Sequence, residues 1–306
     1  MEQMQRFTVA LTEALPSFMM KKEEALSRHT SFRIGGPAEL MVFPIKAEEL
    51  ATILRLGREH GIKPLILGAG TNVLAPDEGI RGLVICLRDC FMGLTLLDNC
   101  QIEAMAGMTL ARTAMFAAQN GLSGLEFAHG IPGTVGGAIY MNAGAYGGEI
   151  KDVAIATEFM DLQGNRSWIE GEAQGFSYRN SSFQGREGVI LRTRFQLKPG
   201  KEEEIRSRIF ELNEKRRSSQ PLDKPSAGST FKRPAQGYAA ALIQEAGLKG
   251  YRYGDAAVSD KHAGFVVNLG NATAKEVLTL VEQVQEKVLE HSGIRLEPEV
   301  RLWARD

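Results

Sequence analysis

"HGIPGTVGGAIYMNAGAYGGE" runs from His129 to Glu149, and its reading decides the fold. Gly130, Gly133, Gly136 and Gly137 cluster at its start, and Gly144, Gly147 and Gly148 at its end. A turn kept for shape alone rarely needs so many residues without side chains. Pro132 suits the first turn of a helix. Glycines there expose N–H groups to a phosphate at a helix N-terminus. Gly133, Thr134, Gly136, Gly137 and Ala138 are therefore candidate phosphate-binding positions. Tyr140 and Asn142, further along the same segment, are candidates to touch a cofactor or substrate.

A first glycine loop lies upstream in "LGAGTN" (67–72). It invites a Rossmann reading, which needs G-x-G-x-x-G opening a helix. Here Val73 takes the place of the third glycine, and Pro76-Asp77-Glu78-Gly79 makes a turn, not a helix. Gly68, Ala69, Gly70, Thr71 and Asn72 still follow an apolar strand, where their N–H groups can form an anion nest. Alone, the segment reads first as a plain strand-to-strand turn. Two separated phosphate-type loops imply a ligand with a pyrophosphate and a long reach. NAD and FAD both qualify, and the missing Rossmann helix favours a flavin fold of another kind.

Around these loops the chain reads as α+β. Strand patterns fall at 39–44, 64–87, 153–170 (a hairpin about "DLQGN") and 188–197, and helical spacing at 46–61 and 108–121. The N-terminal residues 1–24 read as an amphipathic helix. The pattern changes at Lys198-Pro199-Gly200. After it comes a charged helix, 201–221, with Ile205, Ile209, Phe210 and Leu212 on its apolar side. A small α+β unit with a final strand, "EVRLW", follows. These features predict a cofactor domain over 1–200 and a second domain over 201–306.

With 306 residues the chain has room for two or three domains, and a net charge of −1 leaves no basic field for nucleic acid. No apolar run reaches the ~18 residues of a membrane helix, and no export signal is evident. The expected location is cytoplasmic. Cys86, Cys90 and Cys100 are odd in number and match no zinc spacing, and the five histidines form no H-x-x-x-H pair, so no metal site is expected.

"LGAGTNVL", "GIPGTVGGAIYMNAGAYGGE", "FSYRNSSF", "AGSTFKRP" and "LEPEVRLW", in that order, resemble the UDP-N-acetylenolpyruvoylglucosamine reductase family, in its shorter form. The resemblance runs from "HTSFRIGG" to the C-terminus. It implies an FAD-binding fold of the vanillyl-alcohol-oxidase (PCMH) type in two subdomains, then a C-terminal α+β substrate-binding domain. It also implies NADPH as reductant and reduction of an enolpyruvyl ether to a lactyl ether on a UDP-sugar, in peptidoglycan precursor synthesis. FAD is expected to bind non-covalently, its pyrophosphate held by residues 68–72 and 133–138.

That chemistry needs a hydride donor, a cation for the substrate carboxylate, and groups that stabilise an enolate-like intermediate and protonate it. By resemblance, Ser229 is the proton donor, Arg179 holds the carboxylate, and Glu299 stabilises the intermediate. Glu297 is the neighbour most easily mistaken for Glu299. Lys232 and Arg233 follow the hydroxyl pair Ser229-Thr230 and suit an anionic substrate, as diphosphate or carboxylate partners. Tyr140 joins them as a substrate candidate.

Three rivals stay open on residues alone, one of them a nucleotide-binding module with no chemistry. A flavin oxidase or dehydrogenase of the same fold would carry the same glycine loops. Ser229-Thr-Phe-Lys232 also spells the S-x-x-K of acylating serine enzymes. That motif opens a helix, whereas Pro234 stands two residues after the lysine and no S-D-N or K-T-G partner is present.

Overall fold

Alternating and 3.6-residue apolar patterns become strands and helices where they were expected, but the chain groups them differently. The computed structural model describes residues 2–303. They form two units. The first takes residues up to Lys22, Leu40–Ala69 and Gly82–Glu214; the second takes Glu23–Glu39, Gly70–Arg81 and Lys215 onward.

In the first unit, helices α1 (Glu2–Ala14), α2 (Ala47–Glu59), α3 (Leu110–Gln119), α4 (Val135–Met141) and most of α5 (Glu202–Ser219) accompany the sheets. An antiparallel sheet runs in the order Arg166–Glu170, Ala154–Asp161, Gly188–Gln196, Gln101–Met105, Leu94–Leu97. The hairpin around "DLQGN" sets Thr157 opposite Ile169, and the next strand sets Thr193 opposite Thr157. A second sheet holds Leu65–Leu67 parallel to Ile80–Cys86, with Leu67 level with Cys86, which aims the first glycine loop off the strand end. Phe7, Leu50, Ile53, Ile85, Ile102 and Phe195 are fully buried in the core. Thr109 caps α3, its hydroxyl accepting from Arg112 N.

The second unit packs α6 (Ala239–Glu245) and α7 (Ala274–Ser292) on a sheet ordered Ser226–Ser229, Phe265–Asn268, Ala256–Val258, Arg252–Tyr253. Thr273 and Glu276 form a capping box at the start of α7, and Gly293 ends it with φ +70°. The core joins Phe231, Val266, Leu280 and Val284 to Phe32, Ile34 and Leu74. Burial of those last three side chains brings two early segments into a unit otherwise made of the C-terminal third. Strand Val73–Leu74 runs parallel to Arg301–Leu302.

Several expectations are corrected. The division does not fall at 200. Ile205 and Ile209 of α5 bury against Ala118, so most of that helix stays with the first unit. Phe210 does not share its apolar side; it is 65% exposed. The N-terminal helix ends at Ala14, before Pro16, and Met20–Ala25 is a strand, because proline disfavours helix in the residue before it. The final strand is only Arg301–Leu302. Pro132 lies outside α4, whose N-cap is Thr134. No described helix is long and apolar enough to cross a membrane. Among the described residues, no cluster of His, Cys, Asp or Glu is placed to hold a metal.

Candidate active site

The first glycine loop leaves its strand with free donors. Among the described residues, the N–H groups of Gly68, Ala69, Gly70 and Thr71 donate to no protein acceptor. Gly70 has φ +60°, and a Cβ there would lie 2.1 Å from the His29 carbonyl oxygen, so only glycine fits. Asn72 commits its side chain and carbonyl elsewhere. Its Nδ2 donates to the carbonyl of Glu299 at 3.2 Å and its own carbonyl accepts from Arg301 N at 2.9 Å.

The second loop divides between open and committed donors. Gly133 and Thr134 have N–H groups with no acceptor among the described residues. Val135 N and Gly136 N instead donate to the carbonyls of Met108 and Ala106 at 2.8 and 2.9 Å, and Ala138 N to Thr134 O. Gly137 N approaches the Thr134 hydroxyl at 3.4 Å. A Cβ on Gly136 would sit 3.0 Å from the Ala106 Cβ. The Gly136 amide is thus spent on packing the turn against Ala106, and the Ala138 amide on the helix. The open N–H donors of each loop, taken by itself, suit an anionic group.

Arg179 lies in the first unit, on a tight turn closed by Ser177 N to Asn180 O and Asn180 N to Ser177 O, both 3.1 Å. Its φ is +54°. A left-handed arginine costs about 1–2 kcal/mol against glycine. The guanidinium stacks 5.1 Å from the Tyr178 ring centre and donates through Nη2 to Gly144 O at 3.3 Å. Lys151 above all holds the Glu149 carboxyl below the usual carboxylate range; the Asn142 amide and the Arg179 charge add to this against desolvation. Asn142 is fully buried and caps α4 with φ +43°. Its amide serves Glu149, Ser177 O and Lys151 N, so it organises the neighbourhood of Arg179. Tyr140 is 36% exposed, while its carbonyl accepts from Ser181 Oγ and Gln184 Nε2, both at 2.8 Å.

In the second unit, strand Ser226–Ser229 slips register against Phe265–Asn268 between Ser226 and Ser229, leaving Ala227 and Gly228 in a bulge. Bulges re-aim side chains, and here Ser229 is exposed while Thr230 is 2% exposed. The Thr230 hydroxyl accepts from Val266 N at 2.9 Å. Residues 230–232 pair with 297–299: Lys232 N donates to Glu297 O and Glu299 N to Thr230 O, both 2.8 Å. Glu297 forms an ion pair with Lys232. Arg233 stacks 4.1 Å from the ring centre of Tyr238, a residue that motif reading passed over. Ser229 and Lys232 thus lie on extended chain, which is not the helix start an acylating S-x-x-K requires.

Of the expected catalytic residues, Ser229 and Glu299 lie in the second unit, where Glu299 N donates to the carbonyl of Thr230, the neighbour of Ser229, and Arg179 belongs to the first. Residues 38–170 match the model of an FAD binding domain, and 220–303 match that of the UDP-N-acetylenolpyruvoylglucosamine reductase C-terminal domain. The UDP-N-acetylenolpyruvoylglucosamine reductase of Caldanaerobacter subterraneus subsp. tengcongensis is 46% identical over 95% of this chain and 96% of its own. The chain belongs to the UDP-N-acetylenolpyruvoylglucosamine reductase family. The relative from Agathobacter rectalis is 45% identical over 97% of this chain and 98% of its own. The crystal structure of the Thermus caldophilus reductase superposes with a TM-score of 0.80 at 38% identity, covering 94% of this chain and all of that one. The α+β fold read from the sequence, an FAD-binding domain followed by a reductase C-terminal domain, is the fold of the family.

Proposed function

We propose the following residue roles for this family member, an FAD-containing, NADPH-dependent oxidoreductase. It reduces the enolpyruvyl ether of UDP-N-acetylenolpyruvoylglucosamine to UDP-N-acetylmuramate in peptidoglycan synthesis. Family membership sets aside a flavin oxidase with another substrate. The open N–H groups of Gly68, Ala69, Gly70, Thr71, Gly133 and Thr134 would hold the FAD pyrophosphate. Held there, FAD would supply the hydride chemistry that links NADPH to the alkene.

The chain's own residues do the rest. Arg179 binds the substrate carboxylate; its guanidinium keeps its charge at any working pH and can pair with both oxygens. Glu299 and Arg179 stabilise the charge that builds beside that carboxylate. Ser229 Oγ donates the proton that completes the lactyl ether. A serine is a weak acid, and it serves where the carbon it protonates is strongly basic and water is excluded. Lys232, oriented by Glu297, and Arg233, held on Tyr238, attract the diphosphate. The reductant and nucleotide sugar are cytoplasmic solutes, which supports a cytoplasmic enzyme.

The observation that supports the assignment of Ser229 is the bulge that leaves it exposed next to Thr230, whose carbonyl accepts from Glu299 N. One experiment tests the function. Purified protein should show flavin bands that NADPH bleaches and UDP-N-acetylenolpyruvoylglucosamine restores. Acid precipitation should release all the colour. Bands that stay bleached on adding that substrate would refute the reading.

A further inference from the structure

The turn that carries Arg179 is tied to one short segment, the end of α4 and the residues just after it. Asn142 Nδ2 donates to Ser177 O at 2.9 Å, at the start of the turn. Gln184 Nε2 donates to the carbonyl of Arg179 itself at 3.1 Å and to Tyr140 O at 2.8 Å. Ser181 Oγ shares Tyr140 O, and the guanidinium reaches Gly144 O. Two side-chain amides therefore fix the carbonyls on either side of a strained residue. Strain persists only where the surroundings over-determine it. Relaxed toward ordinary φ, Arg179 would swing its Cβ away and carry the guanidinium with it.

We propose that Asn142 and Gln184 are positioning residues for the reductase reaction, holding the Ser177 and Arg179 carbonyls so that the Arg179 guanidinium meets the substrate carboxylate in one orientation. This rests on the assignment of Arg179 given above. Neither residue touches the reacting atoms in this account. Both act through Arg179, so their loss must be invisible once Arg179 is gone.

The experiment is a pair of double-mutant cycles on the flavin-loaded enzyme. Asn142→Gly accepts the left-handed backbone and removes only the amide. Gln184→Met keeps volume at a partly exposed position, and serves if the first variant folds poorly. Each single variant should keep wild-type flavin content. Each should raise KM for the enolpyruvyl substrate and lower kcat per bound flavin, so that kcat/KM falls at least about tenfold. Added to Arg179→Ala, either change should alter kcat/KM by less than about twofold. Calorimetric affinity for the substrate should fall in the single variants and not further in the doubles. An equal loss with and without Arg179, or a loss explained wholly by missing flavin, would overturn the inference. So would wild-type kinetics in both variants when Arg179→Ala is impaired. Wild-type kinetics in Arg179→Ala itself would instead overturn the arginine assignment, and this inference with it.

Discussion

Ser229 and Thr230 are adjacent hydroxyls with opposite surroundings, and replacing each in turn separates chemistry from structure. Ser229 is exposed, and among the described residues its Oγ makes no hydrogen bond. Ser229→Ala should change stability by no more than about 0.5 kcal/mol. Thr230 is 2% exposed and accepts from the buried Val266 amide. Thr230→Val orphans that amide, at a cost of about 1–3 kcal/mol. Kinetics should reverse this order. If Ser229 is the proton donor, its loss removes a positioned acid, worth at least ~10²-fold. That is about 2.7 kcal/mol of barrier. The assay is stopped-flow on the two half-reactions. In Ser229→Ala, FAD content and flavin reduction by NADPH should be normal, and reoxidation by UDP-N-acetylenolpyruvoylglucosamine should slow at least a hundredfold. Substrate affinity should move little, since one hydroxyl contributes about 1 kcal/mol. In Thr230→Val, melting temperature should fall while reoxidation per folded enzyme stays within a few fold. A Ser229→Ala enzyme slowed in flavin reduction but normal in reoxidation would refute the proton-donor role.

Arg179→Lys keeps charge but loses the fork, so steady-state kinetics should show KM rising and kcat falling together. Glu299→Gln should lower mainly kcat, by roughly 10²-fold; near-normal turnover would remove it, and since Glu297 is already paired with Lys232, the site would then lack a carboxylate role. Gly136→Val should destabilise the apoprotein by about 1–3 kcal/mol, because its Cβ meets Ala106, whereas Gly137→Ala, on the exposed side, should melt like wild type; equal melting of the two would contradict the packing role. Burial pushes the Cys86 thiol up to about 11 and Cys90 to about 12. A raised thiol pKa stabilises the fold below the ordinary value of 9.0 and loses that contribution as pH climbs through the folded values. Melting temperature should therefore fall between about pH 9 and 11, less so in a Cys86→Ala/Cys90→Ala variant, and identical profiles would refute the shift.

What the sequence made legible was whatever short-range chemistry controls. Period-two alternation found Gly188–Gln196, the turn residues of "DLQGN" found its hairpin, and asparagine-glycine stops found the end of α3. Everything decided by distant contacts was not legible. Nothing near Phe32 or Leu74 says that they bury in the C-terminal unit. Nothing in "GTVGGA" says that one glycine amide turns inward to Ala106 while Gly133 and Thr134 stay open. The Arg179 turn shows the limit most clearly. "SYRN" carries no glycine at the left-handed position, so turn propensity points away from the conformation adopted. The usable signal was the contradiction itself: an arginine between a tyrosine and an asparagine, with amides at Asn142 and Gln184 within reach only after folding. A turn that needed only to turn would relax to glycine. One that keeps arginine in a left-handed conformation must obtain the difference from neighbours, and here two side-chain amides supply it.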